Sequence, residues 1–121
     1  MDIATRTVDG IAIMDVIGEI DLYAAPELHS RYHELKTKHG THHVIVNLEK
    51  TSYLDSSGIG VLFQFFTDAR NRRVSFFITG VRGMVEKLLQ LSRMSSILPM
   101  EATVQDALGR IRQTCEKGVV V

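Results

Sequence analysis

The sequence predicts an α/β domain: a mixed, largely parallel sheet of four to five strands with an N-terminal hairpin and four helices. Three observations lead there. Asp9-Gly10 joins two apolar runs near the start of the chain, a strong hairpin signal. Of two later runs, Val44-Ile45-Val46 is apolar without alternation, as in a buried strand, and Val74 to Thr79 is rich in β-branched and aromatic residues. Between and after these runs the apolar spacing changes to that of helices, so the strands are joined by crossovers and run parallel.

The hairpin pairs Ile3 to Val8 with Ile11 to Ile17. The second run carries apolar residues on both faces and is expected to be central. Gly18-Glu19-Ile20-Asp21 breaks it. Ala24, Leu28, Tyr32 and Leu35 then recur at helical spacing, with Pro26 in the first turn, where its missing N–H costs nothing. His39-Gly40 is the expected C-terminal cap. His43 to Leu48 follows as a buried strand, and Glu49 to Leu54 as a loop. Helix two is expected from Gly58 to about Arg70, closed by the polar joint Arg70-Asn71-Arg72-Arg73. After the strand at Val74 to Thr79, Met84, Val85, Leu88, Leu89 and Leu91 mark helix three. Ile97-Leu98 before Pro99 reads as a short strand, and Val104, Ala107, Leu108 and Ile111 as a last amphipathic helix.

Composition narrows the function. The 121 residues are 45% hydrophobic and 23% charged, enough for one core without disulfides or a structural metal. Lys plus Arg and Asp plus Glu both number 14, which disfavours a non-specific nucleic-acid binder. The lone cysteine, Cys115, permits no internal disulfide and suits a reducing compartment. No apolar run approaches the ~20 residues that span a bilayer, and the N-terminus does not read as a signal peptide. A cytoplasmic location is expected, with no cofactor and no metal.

The chemistry concentrates in Leu54-Asp55-Ser56-Ser57-Gly58-Ile59-Gly60, where a strand-like run gives way to helix two. Asp55, Ser56 or Ser57 can cap the helix by accepting a backbone N–H bond. Ser56 can also be read as a phospho-acceptor, because a phosphate at a helix N-terminus faces N–H groups and a favourable dipole. A hydrolase nucleophile is disfavoured, since no glycine occupies the first place of a G-x-S-x-G elbow. Gly58-x-Gly60 has no P-loop lysine after it. Helix two carries two stripes. Ile59, Leu62, Phe63 and Phe66 form one, expected to be core; Val61, Phe65 and Ala69 form the other, either buried against a neighbour or exposed to a partner. His29 and His33 stand at i, i+4 without a glutamate in the H-E-x-x-H position, and read as a solvated face. His42 and His43 would point to opposite sides of a strand.

These residues resemble the STAS domain family, most closely the bacterial anti-sigma factor antagonists. The resemblance covers nearly all of residues 1–121 as a single domain. It rests on Gly18-Glu19-Ile20-Asp21, on Val44-Ile45-Val46-Asn47-Leu48, and on Tyr53 to Leu62 with the Asp-Ser-Ser-Gly-hydrophobic-Gly motif. Val85-x-x-Leu88-Leu89, Leu91, Met94 and Ile97 fit the later pattern. The run Leu91-Ser92-Arg93-Met94-Ser95 departs from it where glycine is common, and Phe65 and Phe66 are bulkier than usual.

The resemblance implies a non-enzymatic, phosphorylation-switched binding module. Ser56 would be phosphorylated by an anti-sigma factor that is an ATP-dependent serine kinase. The unmodified protein would bind that kinase and free a sigma factor; the modified protein would release it, and a metal-dependent serine phosphatase would reset the switch. Asp21, Asp55, Ser57, Gly58 and Val61 are the expected partner-binding residues, with no direct contact to nucleic acid or membrane. The alternative is a STAS scaffold subunit of a lipid transport or stress-signalling complex, in which Ser56 is only a cap.

Overall fold

The computed structural model describes residues 1–38 and 43–116. The expected cap at His39-Gly40, together with His42, lies outside them. In chain order the elements are β1 (Asp2–Val8), β2 (Ile11–Ile20), α1 (Ala25–Lys38), β3 (His43–Asn47), β4 (Thr51–Leu54), α2 (Ser56–Arg72), β5 (Phe76–Thr79), α3 (Gly83–Leu91), a 3-10 turn (Met94–Ser96), β6 (Met100–Glu101) and α4 (Val104–Glu116).

The sheet is mixed, as predicted, with six strands among the described residues rather than four to five. β1 and β2 form the antiparallel hairpin, from Asp2 opposite Ile17 to Val8 opposite Ile11. Asp9 and Gly10 both have positive φ, as a tight hairpin turn requires. β2, β3, β5 and β6 then run parallel in the order β1-β2-β3-β5-β6. Each parallel step crosses over a helix, which covers the sheet.

Alternation along the strands divides the core in two. Ala12, Met14, Val16, Val44, Val46, Phe76 and Ile78 face α1, α2 and α3 in the larger cluster. Ile11, Ile13, Ile45 and Phe77 face α4 through Ala107, Leu108 and Ile111. This explains why Val44-Ile45-Val46 is apolar throughout: each side has a helix on it. Toward the C-terminal ends of the strands, on the α4 side, a polar ladder crosses the sheet. Arg6 donates to Asp15, Asn47 donates to Asp15, and Thr79 donates to Asn47, at 3.0, 2.8 and 3.2 Å.

Two expectations are corrected. The segment Glu49 to Leu54 is not all loop, because Thr51–Leu54 forms β4, parallel to the far end of β2. β2 is long enough to pair twice, with β3 along Ile11 to Asp15 and with β4 along Gly18 to Ile20. Gly18, at φ +103°, stands at a register shift within the β2–β4 pairing, between Gly18 and Glu19. The last strand is Met100–Glu101, after Pro99 rather than before it. Residues Met94–Ser96 wind into a 3-10 turn, and Ile97 is exposed.

Candidate functional site

β4 delivers the Asp-Ser-Ser-Gly segment to the C-terminal end of β2. There the Asp55 N–H donates to the Ile20 carbonyl at 3.2 Å, and α2 starts. Asp55 is extended and is the N-cap of α2; its Oδ1 accepts from the Gly58 N–H at 3.1 Å. Its Oδ2 accepts from the Leu22 N–H, also at 3.1 Å. One carboxylate therefore caps a helix and ties it to the loop between β2 and α1.

Asp21 organises the turn that leads into α1. Its Oδ1 accepts from the N–H groups of Tyr23 and Ala24 at 3.0 and 2.9 Å, and its carbonyl accepts from Ala24 and Ala25. The loop residues Leu22 and Tyr23 are thus pinned from two sides while their side chains stand 63% and 89% exposed. Sequence reasoning missed this pair. The available signal was an apolar Leu-Tyr between an acidic cap and helix one, outside the helix's own apolar spacing.

Because Asp55 is the cap, Ser56 is free of that duty. It is the first residue of α2 and is exposed, whereas Ser57 is half-buried. Gly58 is buried, and a Cβ there would lie 2.5 Å from the Ile20 carbonyl oxygen and 3.1 Å from Leu54 Cβ. Its lack of a side chain lets α2 close onto the ends of β2 and β4. Gly58, expected to contact a partner, is placed with its missing side chain directed into the domain.

Val61, also expected to contact a partner, lies on the inward side too. The inward face of α2 is Gly58, Val61, Leu62, Phe65 and Ala69, with Val61 8% and Phe65 1% exposed. The stripe expected to be able to meet a partner is core. Of the stripe expected to be core, Leu62 is buried, Ile59 and Phe66 are half-buried, and Phe63 is 39% exposed. Ser56, Gly60 and Phe63 share the outer face at i, i+4, i+7.

A polar network behind the site holds α1 against α2. The Tyr32 ring stacks on Phe65, with centroids 4.0 Å apart, and its hydroxyl donates to Asp68 Oδ2 at 2.7 Å. Lys36 and Arg72 each lie 3.3 Å from the same oxygen. Burial pushes the Tyr32 phenol well above its ordinary range, and the neighbouring Asp68 adds to this. For Asp68, burial acts upward, but the Tyr32 hydrogen bond and the Lys36 and Arg72 cations outweigh it and lower its pKa.

The described histidines, His29, His33 and His43, do not converge on a metal site. His29 and His33 are exposed on α1, the His29 ring 6.0 Å from that of Phe65. His43 Nδ1 accepts from the Ser75 N–H. Among the described residues no group of three or more His, Cys, Asp or Glu is placed to hold a metal ion. No described helix is long and apolar enough to cross a membrane.

With this geometry in view, comparison with known proteins decides the family. Residues 2–107 match the model of the STAS domain. The chain belongs to the STAS domain family. It is 29% identical over 98 residues to the anti-sigma-B factor antagonist of Staphylococcus aureus strain NCTC 8325, covering 81% of this chain and 90% of that protein. An anti-sigma factor antagonist from Mycobacterium paratuberculosis has a similar structure, with a TM-score of 0.82 at 21% identity, covering 92% of this chain and 93% of that one. The Bacillus cell fate determinant SpoIIAA in its phosphorylated form aligns with a TM-score of 0.70 at 20% identity, covering 91% and 99%. At those identities the two solved structures speak for the STAS fold.

Proposed function

We propose that this STAS protein is an anti-sigma factor antagonist switched by phosphorylation of Ser56. In the unmodified state it binds an anti-sigma factor that is also an ATP-dependent serine kinase, and so frees a sigma factor. Phosphorylation of Ser56 releases the kinase, and a serine phosphatase restores the binding form. The likeness to the staphylococcal antagonist supports the class of function. The observation that carries the switch is the division of labour at the helix start: Asp55 caps α2, leaving Ser56 exposed at its first position.

Physical chemistry favours a modification there. The positive end of the helix dipole stabilises an added anion, so the fold tolerates it. The same phosphate adds about −1.5 to −2 charges beside the Asp55 carboxylate, which holds the exposed Leu22 loop, and on the helix face that carries the exposed Phe63. A partner fitted to the unmodified surface then meets charge and bulk. Asp21 and Asp55 shape this surface by holding the Leu22-Tyr23 loop, and half-buried Ser57 is the lesser acceptor.

The test is intact mass after incubation with ATP and the anti-sigma factor kinases of the same organism, followed by peptide mapping. One phosphate on Ser56, absent from Ser56→Ala, is the expected result. Phosphate on Ser57, or full labelling of Ser56→Ala, defeats the assignment. If the unmodified chain binds no such kinase and takes up no phosphate, a scaffold role without a switch replaces the reading.

A further inference from the structure

Gly60 serves no need inside the domain. It sits in the first half of α2 on the exposed face, and a Cβ built there meets nothing within 4 Å beyond its own helix. Glycine within a helix is less favourable than alanine, because it loses more backbone freedom on folding. Gly58, two residues earlier, is the reverse case, since a side chain there would strike the Ile20 carbonyl. Gly60 therefore weakens α2 without relieving any contact in the free protein.

Its position supplies a reason. Ser56, Gly60 and Phe63 are exposed on one face of α2. Gly60 lies four residues below Ser56, about 6 Å along the helix axis. A kinase must bring its phosphoryl donor to within about 3–3.5 Å of the acceptor oxygen. The walls of its cleft must then descend onto the turn below the serine, where Gly60 exposes bare main chain.

We propose that Gly60 is a close-approach residue for the anti-sigma factor kinase. The partner's main chain packs against α2 between Ser56 and Phe63, at a separation that any side chain at position 60 would prevent. The Phe63 ring borders the contact below, and Leu22 and Tyr23 border it beside the helix start. This inference rests on Ser56 being the acceptor and adds which surface sets the approach of the partner.

Gly109 provides an internal control. It too is an exposed helical glycine with nothing within 4 Å of a built Cβ, but it lies on α4, across the sheet from α2. The experiment compares Gly60→Ala, Gly60→Leu, Gly109→Ala and Gly109→Leu in the full chain. Each is measured for melting temperature, for affinity toward each ATP-dependent anti-sigma factor kinase of the same organism, and for the rate of Ser56 phosphorylation by intact mass.

Both alanine variants should melt roughly 2–5 °C higher than the parent. The Gly109 variants should bind and be phosphorylated like the parent. Gly60→Ala should lose about tenfold in affinity and rate, and Gly60→Leu about a hundredfold or more, as side-chain atoms are forced into a closed contact. If Gly60→Leu stays within about twofold of a parent that binds and is phosphorylated on Ser56, the close-approach role is overturned and the Ser56 switch stands. A parent that neither binds nor is phosphorylated removes both.

Discussion

The two faces of α2 are both apolar in part, yet they are built for different purposes. The inward face, Gly58, Val61, Leu62, Phe65 and Ala69, has small residues near both ends, with large ones between. The helix can therefore approach the sheet closely and still fill the space beneath it. The outward face, Ser56, Gly60, Phe63 and Thr67, is polar or small except for one ring. The difference teaches that neither hydropathy nor the presence of a glycine alone reports which way a helix faces. Both glycines read alike in the sequence, and only one is needed for folding.

The phenylalanines give the widest separation between the faces. Phe65→Ala should destabilise the domain by about 3–5 kcal/mol, from lost burial and the loss of the Tyr32 stack. Phe63→Ala should change stability by under about 1 kcal/mol while weakening kinase binding. Chemical denaturation of both variants checks this, and equal losses would break the distinction between the faces.

Gly58→Ala should destabilise by about 1–3 kcal/mol, because the new methyl group is driven toward backbone rather than a flexible side chain. A neutral or stabilising result would show that α2 shifts readily on the strand ends. For the cap, Asp55→Ala should destabilise by about 1–2 kcal/mol, combining the lost N-cap with the lost bond to Leu22. Hydrogen exchange at the Leu22 amide should accelerate in the same variant. Unchanged protection there would mean that Asp55 does not hold the loop.

Tyr32 tests the buried side of the comparison through pH. Its phenol is raised in the folded state, so the folded chain holds that proton longer than the unfolded chain does. The associated stability is complete below the ordinary tyrosine pKa of about 10 and declines as pH rises past it. Tyr32→Phe should lose about 1 kcal/mol at neutral pH with the Asp68 hydrogen bond, and should flatten part of the alkaline decline. Melting temperatures at pH 8 and above pH 10 measure both. The smallest effect belongs to the outward face: Ser56→Asp should alter stability by less than about 1 kcal/mol while kinase affinity falls. A large drop in melting temperature would make Ser56 structural.

Much of the fold could be read from local pattern. The hairpin follows from Asp9-Gly10, and the double-sided burial of β3 from three successive apolar residues. β4 was not legible because its four residues, Thr51-Ser52-Tyr53-Leu54, pair with β2 and carry two exposed side chains. A strand of that length exists through its register with β2, which is a long-range property. The orientation of α2 was also beyond periodicity, since Ile59, Leu62 and Phe66 fit a helical stripe as well as Val61, Phe65 and Ala69 do. The clue was Gly58 and Ala69 on the second stripe, where small residues mark close packing against the sheet.

The sequence alone determined that a serine stands at the start of a helix beside a carboxylate, because strand and helix periodicities meet at that point. It also determined the family, since that segment and its spacing from the other motifs are linear properties. Which residue caps, which serine stays exposed and which apolar stripe turns inward were decided only in three dimensions. Asp55 became the cap because β4 brings it beside Ile20, where its second oxygen reaches the Leu22 amide. Ser56 is left without that role and is exposed on the outer face of α2. Such choices depend on contacts between segments more than 30 residues apart, and no local propensity carries them.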